Sequence, residues 1–365
     1  MTATELIDVE GLRTDVEAVL ADHLGELSAE LDGVGADNRL VEAMRATVAG
    51  GKRLRAAFCY WSWRAHGGDG AEGAERDDVL RVGAALELFQ AAALVHDDVM
   101  DDSDTRRGRA AAHRSFADLH LEQGWTGPAE PFGNSVAILL GDLALIASER
   151  VFDSARLGPR VRLAAREVFD RMRTEVIAGQ YLDVLAQALP LEHGAATDEG
   201  RARAVIRYKS ARYSVEHPLA LGAALADADD DAVAACRAIG LPLGEAFQLR
   251  DDMLGVFGDP ATTGKPAGDD LRQGKRTVLV SRALNLANRA DRTRLSRAIG
   301  RRDLTDDDVA RLRSLLHRTG AVDQVEQLID SLAGPALRAL SEAALAEPGR
   351  SMLVRLGRAA VDRHA

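Results

Sequence analysis

Residues 77–104 read DDVLRVGAALELFQAAALVHDDVMDDSD, a long apolar run that closes on a knot of aspartates. Its middle is apolar almost without interruption, which predicts one helix over about Asp77–Asp102, buried on most sides. Asp97 and Asp101 lie four apart and share a face, and Asp98 and Asp102 form a second pair on an adjacent face. These carboxylates repel one another and sit where the helix macrodipole is already negative. Each effect is worth at most about 1 kcal/mol at an exposed site, but they add in the same unfavourable direction. A helix built for burial ends this way when something cationic sits there. The plain alternative is a solvated acidic helix end. An EF-hand loop is excluded, because the alternating Asp spacing, central Gly and closing Glu are absent.

Working outward, apolar residues recur at helical spacing over Leu6–Leu31, Leu40–Val48 and Leu54–Trp63. They do so again over Ser135–Arg156, Pro159–Leu189, Arg201–Ala226, Asp231–Phe257, Arg276–Asn288 and from Thr305 onward. His66–Gly73 and Gly124–Gly133 read as loops. No alternating strand pattern of useful length, repeat or long linker interrupts the 365 residues. The expectation is an all-α protein, a large single-domain helical bundle spanning 1–365. A net charge of -11 argues against a nucleic-acid-binding surface. Cys59 and Cys236 have no partner at zinc-ligand spacing and read as two buried thiols of a reducing compartment. The start, MTATELIDVEGLRTDVEAV, does not read as a signal peptide. The apolar run Ala84–Val95, broken by Glu87 and Gln90, reads as too short and polar for a transmembrane segment. A soluble, cytoplasmic protein is expected.

A second acidic cluster, Gln248-Leu249-Arg250-Asp251-Asp252, follows the apolar stretch Ile239–Phe247. Two Asp-Asp pairs, each at the far end of an apolar helix, can face one cavity mouth if the helices lie side by side. Inward-facing acidic side chains on neighbouring helices are a standard way to build a metal site in a bundle. Magnesium prefers a few carboxylates plus water and substrate phosphates, so metal should bind weakly alone and tightly with a diphosphate. Cations stand beside glycines around these clusters: Lys52, Arg53 and Arg55 after Gly50-Gly51, then Arg106 and Arg107 before Gly108. Lys209-Ser210, Gly264-Lys265-Pro266 and Gly274-Lys275-Arg276 follow. Arg offers a planar donor fork for phosphate oxygens and Lys a point charge. Singly each reads as a surface charge, and Arg106 and Arg107 could simply neutralise Asp101 and Asp104. Together they indicate a site for more than one polyanion.

The segments GGKRLR, LVHDDVMDDSDTRRG, FQLRDDMLGVFGD and TGKPAGDDLRQGKRT occur in this order, and with them the chain resembles the trans-isoprenyl diphosphate synthase (polyprenyl synthetase) family over roughly residues 40–290. The resemblance implies an all-α bundle around a deep cavity, usually a homodimer. It implies that Asp97, Asp98, Asp101, Asp251 and Asp252 hold several magnesium ions on an allylic diphosphate. Arg106, Lys209, Gln248 and Lys265 match positions that contact that group. Lys52, Arg55, Gln90 and Arg107 match an isopentenyl diphosphate pocket; Ser210 and Lys275 join the substrate-binding set. Gln180 and Asp183 match a G-Q-x-x-D segment whose Asp supports the site. Gly255 stands where many members carry a third Asp, and Asp259 is a candidate substitute acting through water.

The implied reaction is magnesium-dependent addition of isopentenyl diphosphate to an allylic diphosphate. Asp97, Ala93, Phe89 and Leu86 follow one helix face, with Ala92 and Ala93 leaving room near the mouth. Phe89 lies roughly 12 Å down, at the helical rise per residue, and could form a floor after a few isoprene units. Geranylgeranyl diphosphate is the favoured product, with farnesyl or longer products open. A class I terpene cyclase and a non-catalytic synthase subunit are the rival readings. The Asn-Asp metal motif of the first is absent, and the second would lack one of the two acidic clusters.

Overall fold

A computed structural model describes residues 8–70, 73–189, 195–259 and 268–362. They are helical apart from one hairpin of two-residue strands. The chain divides into two compact units. The first takes the chain up to Ala165 together with Leu221–Asp229 and Leu345–Leu356. It holds α1 (Leu12–Gly33), α2 (Arg39–Val48), α3 (Leu54–Ala65), α4 (Ala74–Met100), the strands β1 (Thr105–Arg106) and β2 (Arg109–Ala110), α5 (Ala112–Glu122) and α6 (Ala129–Asp153).

Helix α4 is the axis of this unit. It packs along α6 and also meets α1, α2, α3 and α5. Leu86, Leu88, Phe89 and Ala92 are all buried. Burying a side chain of Leu or Phe size contributes about 1.5–3 kcal/mol, so a helix this enclosed anchors the unit. Ser148 of α6 spends its hydroxyl on the Ala85 carbonyl at 2.7 Å, which allows a polar residue in this contact. By length and composition α4 could cross a membrane, unlike the shorter run Ala84–Val95, but 72% of its apolar window is buried inside the protein. Burial by neighbouring helices accounts for that apolarity. Cys59 and Cys236 are both buried thiols.

The second unit comprises Arg166–Ala220, Asp230–Ala344 and the chain from Gly357. It includes most of α7 (Pro159–Ala188), then α8 (Ala195–Val205), a π-helical segment Ile206–Glu216 and the start of α9 (His217–Leu225). Its centre is α10 (Asp230–Phe257). The short α11 (Asp269–Gln273), α12 (Val278–Leu286), α13 (Arg289–Ala298), α14 (Asp306–Arg318), α15 (Ala321–Glu342) and the end of α16 (Gly349–Val361) complete it. Helix α10 packs on the π segment and on α15. Gly240 and Gly244, four apart, make the first contact possible. A Cβ at Gly240 would stand 2.6 Å from the Glu216 Cα, and one at Gly244 would run into the Ala211 carbonyl oxygen. Arg250, largely buried, forks onto Glu326 at 2.6 and 2.7 Å and donates to the Val361 carbonyl at 3.1 Å. The end of the chain is thereby tied to α10.

Most helix bounds fall within a few residues of the sequence reading. Helices α11 and α13 went unread, and the pattern from Thr305 onward divides into α14, α15 and α16; three further differences have physical reasons. Helix α6 starts at Ala129 because Pro128 and Pro131 occupy its cap and first turn, where a missing N–H costs nothing. Helix α5 went unread because its buried side is only His113, Phe116 and His120. The expected single helix over Arg201–Ala226 is broken by the π segment. The start read at Thr305 is explained by a Thr305–Asp308 capping box, which separates α14 from α13.

Candidate active site

In the first unit Asp97, Asp98 and Asp101 close helix α4. Asp98 is 3% and Asp101 8% exposed, so these are buried carboxylates, not a solvated helix end. Their counter-charge comes from the hairpin just beyond the helix. Its two-residue turn places Arg107 at φ 52° and Gly108 at φ 73°, the signs a type I′ turn requires. The chain doubles back so tightly that Arg106 lands on Asp98. Its Nε donates to both carboxylate oxygens at 2.9 and 3.1 Å, its Nη2 contacts Oδ1, and Nη2 lies 3.4 Å from Asp97 Oδ2. Burial works against the Arg106 charge, but the bonds to Asp98 and the charges of Asp97, Asp98 and Asp101 raise its pKa.

The plain alternative, in which Arg106 and Arg107 simply neutralise Asp101 and Asp104, holds only in that Arg106 feels the Asp101 charge. Asp102 and Asp104 belong to Arg114 of α5, at 2.6 and 3.0 Å. Arg107 turns the other way and donates to the Thr47 and Ala49 carbonyls at 3.0 and 2.9 Å, covering the end of α2. Nearby, Arg55 bonds to Gln90 Oε1, and Lys52 stands exposed on the loop before α3. Arg107 has Arg53, Arg106 and Arg55 close enough to lower its pKa beyond the effect of burial, with Glu87 opposing them. A cluster of arginines thus sits beside the carboxylate centre within one unit.

On α4 Asp97, Leu94, Ala93 and Gln90 are partly accessible at helical spacing, as are Arg81, His96 and Val99 off that stripe. Below them Phe89 and Leu86 are sealed, at 2% and 0% exposure, and Ala92 is buried as well. The open stripe that starts at Asp97 stops at the level of Phe89.

In the second unit Lys209, on the π segment, pairs with Asp183 of α7 at 2.6 Å. A Cβ at Gly179 would collide with the Lys209 backbone, so the glycine of the A-G-Q-Y-L-D segment brings the two elements together. Ser210 follows on the same π segment, a type of irregularity frequent at functional sites. On α10 Gln248 donates to Asp252 Oδ1 at 2.8 Å. Burial, then the Asp270 charge, pushes the Asp252 carboxyl up to about 7, against the Gln248 hydrogen bond and Lys275. Lys275 Nζ lies 3.7 Å from Asp270 Oδ1. Asp259 is exposed, whereas the Asp270 carboxylate lies where a side chain at Gly255 would project. Asp270, not Asp259, occupies the space of the missing third aspartate. Lys265 lies outside the described residues.

Sequence reasoning missed Arg114, Glu87 and Asp270. Glu87 had a signal, since a lone charge inside a buried helix needs a partner. Asp270 stood in the quoted segment GDDLRQGK without a role. Among the described residues, no group of three or more His, Cys, Asp or Glu is drawn together as a ready metal cage. The donor set is hard carboxylate, which suits magnesium shared with phosphate oxygens and water. A cavity of about 20 Å³ bordered by Ala186, Arg201, Arg276 and Val280 contains none of these groups.

Known proteins resemble this chain over most of its length. The chain is 31% identical over 339 residues to a geranylgeranyl diphosphate synthase of Mycobacterium tuberculosis, covering 92% of this chain and 84% of the relative. It is 33% identical over 281 residues to a geranylfarnesyl diphosphate synthase of Aeropyrum pernix, covering 76% and 79%. Its fold matches the crystal structure of a geranylgeranyl pyrophosphate synthase from Corynebacterium glutamicum complexed with isoprenyl diphosphate and magnesium. The TM-score is 0.91 at 36% identity, covering 98% of this chain and 99% of that one. Residues 37–316 match the family described as Polyprenyl synthetase, and the chain belongs to that family.

Proposed function

We propose that the protein is a magnesium-dependent trans-prenyltransferase that adds isopentenyl diphosphate to an allylic diphosphate, with geranylgeranyl diphosphate as product. The observation that carries this reading is the pairing, in one unit, of buried carboxylates at the head of a partly open apolar stripe with a neighbouring arginine cluster. One group fits a metal-held diphosphate and the other a second polyanion. Chain 1–365 acts as one catalytic domain in the cytoplasm. The exposed apolar side chains Ile138, Leu139 and Ile146 on α6 support a homodimer.

Asp97, Asp98, Asp101, Asp251 and Asp252 would hold several magnesium ions for the allylic diphosphate, with Asp270 supplying the carboxylate that Gly255 lacks. Bound magnesium supplies Lewis-acid stabilisation of the charge growing on the leaving diphosphate. Arg106 gives up part of its hold on Asp98 and turns donors toward that diphosphate, joined by Lys209, Gln248, Lys265 and Lys275; Ser210 lies beside them. Lys52, Arg55, Gln90 and Arg107 seat the isopentenyl diphosphate so that its double bond attacks the allylic cation. The departing diphosphate takes the proton. The apolar wall of α4 keeps water from the cation.

Purified protein with an allylic primer, isopentenyl diphosphate and magnesium is expected to yield geranylgeranyl diphosphate by chromatography, and none after chelation. The primer alone is expected to stay intact; hydrocarbon released from it would instead indicate a cyclase. Absence of any product from the purified chain would support a non-catalytic subunit.

Phe89→Ala opens the level where the stripe on α4 closes, so the product is expected to lengthen by one or more isoprene units. An unchanged product profile disposes of Phe89 as the floor.

Asp252 has its carboxyl raised from 3.8 to about 7, so the fold keeps a proton that the unfolded chain has lost. Its contribution to the stability of metal-free protein is full below about pH 4 and is lost as pH rises through about 7. Asp252→Asn is therefore expected to raise the thermal midpoint of metal-free protein at pH 8 and to change it little at pH 4. Equal shifts at both pH values contradict the burial of this carboxyl.

A further inference from the structure

Arg53 stands between Lys52 and Arg55 yet behaves unlike either. Its backbone is left-handed at φ 52°, a region that side chains other than glycine seldom occupy. Its side chain turns inward and is only 3% exposed. There Nη1 lies 3.5 Å from Glu87 Oε2 on α4, and Nη2 lies 3.4 Å from Glu17 Oε1 on α1. Glu87 is 5% exposed, and its other oxygen accepts from the Ala56 N–H at 3.5 Å. Ala56 lies in the first turn of α3, the helix that Arg53 itself caps, so one carboxylate holds both the cap residue and a free N–H of that turn. A Cβ at Gly51 would stand 2.8 Å from Arg53 Nη1, so the second glycine of GGKR makes room for the guanidinium under its own loop. On the other side Arg107, also at φ 52°, clasps the Thr47 and Ala49 carbonyls.

We propose that the Arg53–Glu87 ion pair is a positioning device for isopentenyl diphosphate. It pins residues 50–55 to α4 so that Lys52 and Arg55 meet the diphosphate, while Arg53 touches no substrate. The proposal rests on the synthase reading above. A strained backbone persists only where its surroundings over-determine it, and two carboxylates, a glycine and a helix N-terminus do so here. The pair is buried, so it is little screened by salt, and Glu87 lies three residues before Gln90, the partner of Arg55. Loop and pocket are thus referenced to one helix.

The test measures kcat and both KM values for wild type, Arg53→Met, Arg53→Lys and Glu87→Gln, with thermal midpoints alongside. Loss of the pin weakens ground-state binding of one substrate, which appears in KM and not in kcat. Arg53→Met and Glu87→Gln are each expected to raise the KM for isopentenyl diphosphate about tenfold, equivalent to about 1.4 kcal/mol. The expected changes in kcat and in the allylic KM stay within about twofold, and Arg53→Lys recovers part of the loss. If Arg53 bound substrate directly, Glu87→Gln would release it and leave the isopentenyl KM unchanged or lower, which overturns the proposal. A loss that spreads to kcat and to the allylic KM alike, alongside a lowered thermal midpoint, overturns it in favour of a purely structural pair. Should the single variants not fold, Arg53→Met/Glu87→Leu leaves neither charge of the pair alone. The double variant is expected to fold and keep the raised isopentenyl KM, and a wild-type KM refutes the pin. A wild-type protein that forms no product from the two substrates together with magnesium refutes the synthase reading itself.

Discussion

The buried carboxylates at the end of α4 set the terms for the rest of the first unit. Asp98 and Asp101 are almost wholly removed from water at the negative end of a 27-residue helix. Uncompensated, such charges are expensive. The hairpin of Thr105–Ala110 exists to answer them. Its tight turn returns Arg106 to Asp98, while Arg114 takes the outer carboxylates Asp102 and Asp104. A single arginine spread over Asp97 and Asp98 is also a placeholder, because a guanidinium that bonds carboxylate bonds phosphate with the same fork. On the proposed function, this arrangement would exchange partners when metal and diphosphate arrive together.

The second unit solves the same problem less completely. Asp252 has an amide donor and a distant lysine, and its carboxyl remains raised by burial and by Asp270. Two acidic groups that disfavour each other's ionisation form a place where a divalent cation gains twice, by pairing with charge and by relieving repulsion. Gly255 belongs to this arrangement. With no side chain there, the Asp270 carboxylate moves into the vacant space, so the count of acidic groups is kept while one now comes from α11 instead of α10.

Much of this was legible in the sequence. The apolar run before Asp97 gave α4, and the spacing of apolar residues gave α10 and most other helices. Asp97, Asp98, Asp101, Asp251 and Asp252 stood out because aspartate pairs are out of place at the ends of buried helices. What stayed hidden depends on contacts between distant parts of the chain. No local pattern says that Arg114 and not Arg107 serves Asp104, or that Asp270 stands beside Gly255. The π segment at Ile206–Glu216 was hidden for a related reason. It is eleven residues long, and its backbone bonds reach just one residue further along the chain than those of an α-helix. Arg53 was grouped with its cationic neighbours because composition cannot show that a left-handed backbone turns it inward.

The proposed function requires that carboxylates from both acidic segments act on a single allylic diphosphate. Its most direct test is a mutant cycle of Asp97→Asn, Asp251→Asn and the double variant, read as kcat with both substrates saturating. Removing one group that stabilises developing charge is expected to cost on the order of 10²-fold. Groups that work as one unit are strongly non-additive. The account predicts a double variant little slower than the worse single one. Losses that multiply in full, or a wild-type rate for Asp251→Asn, would contradict it.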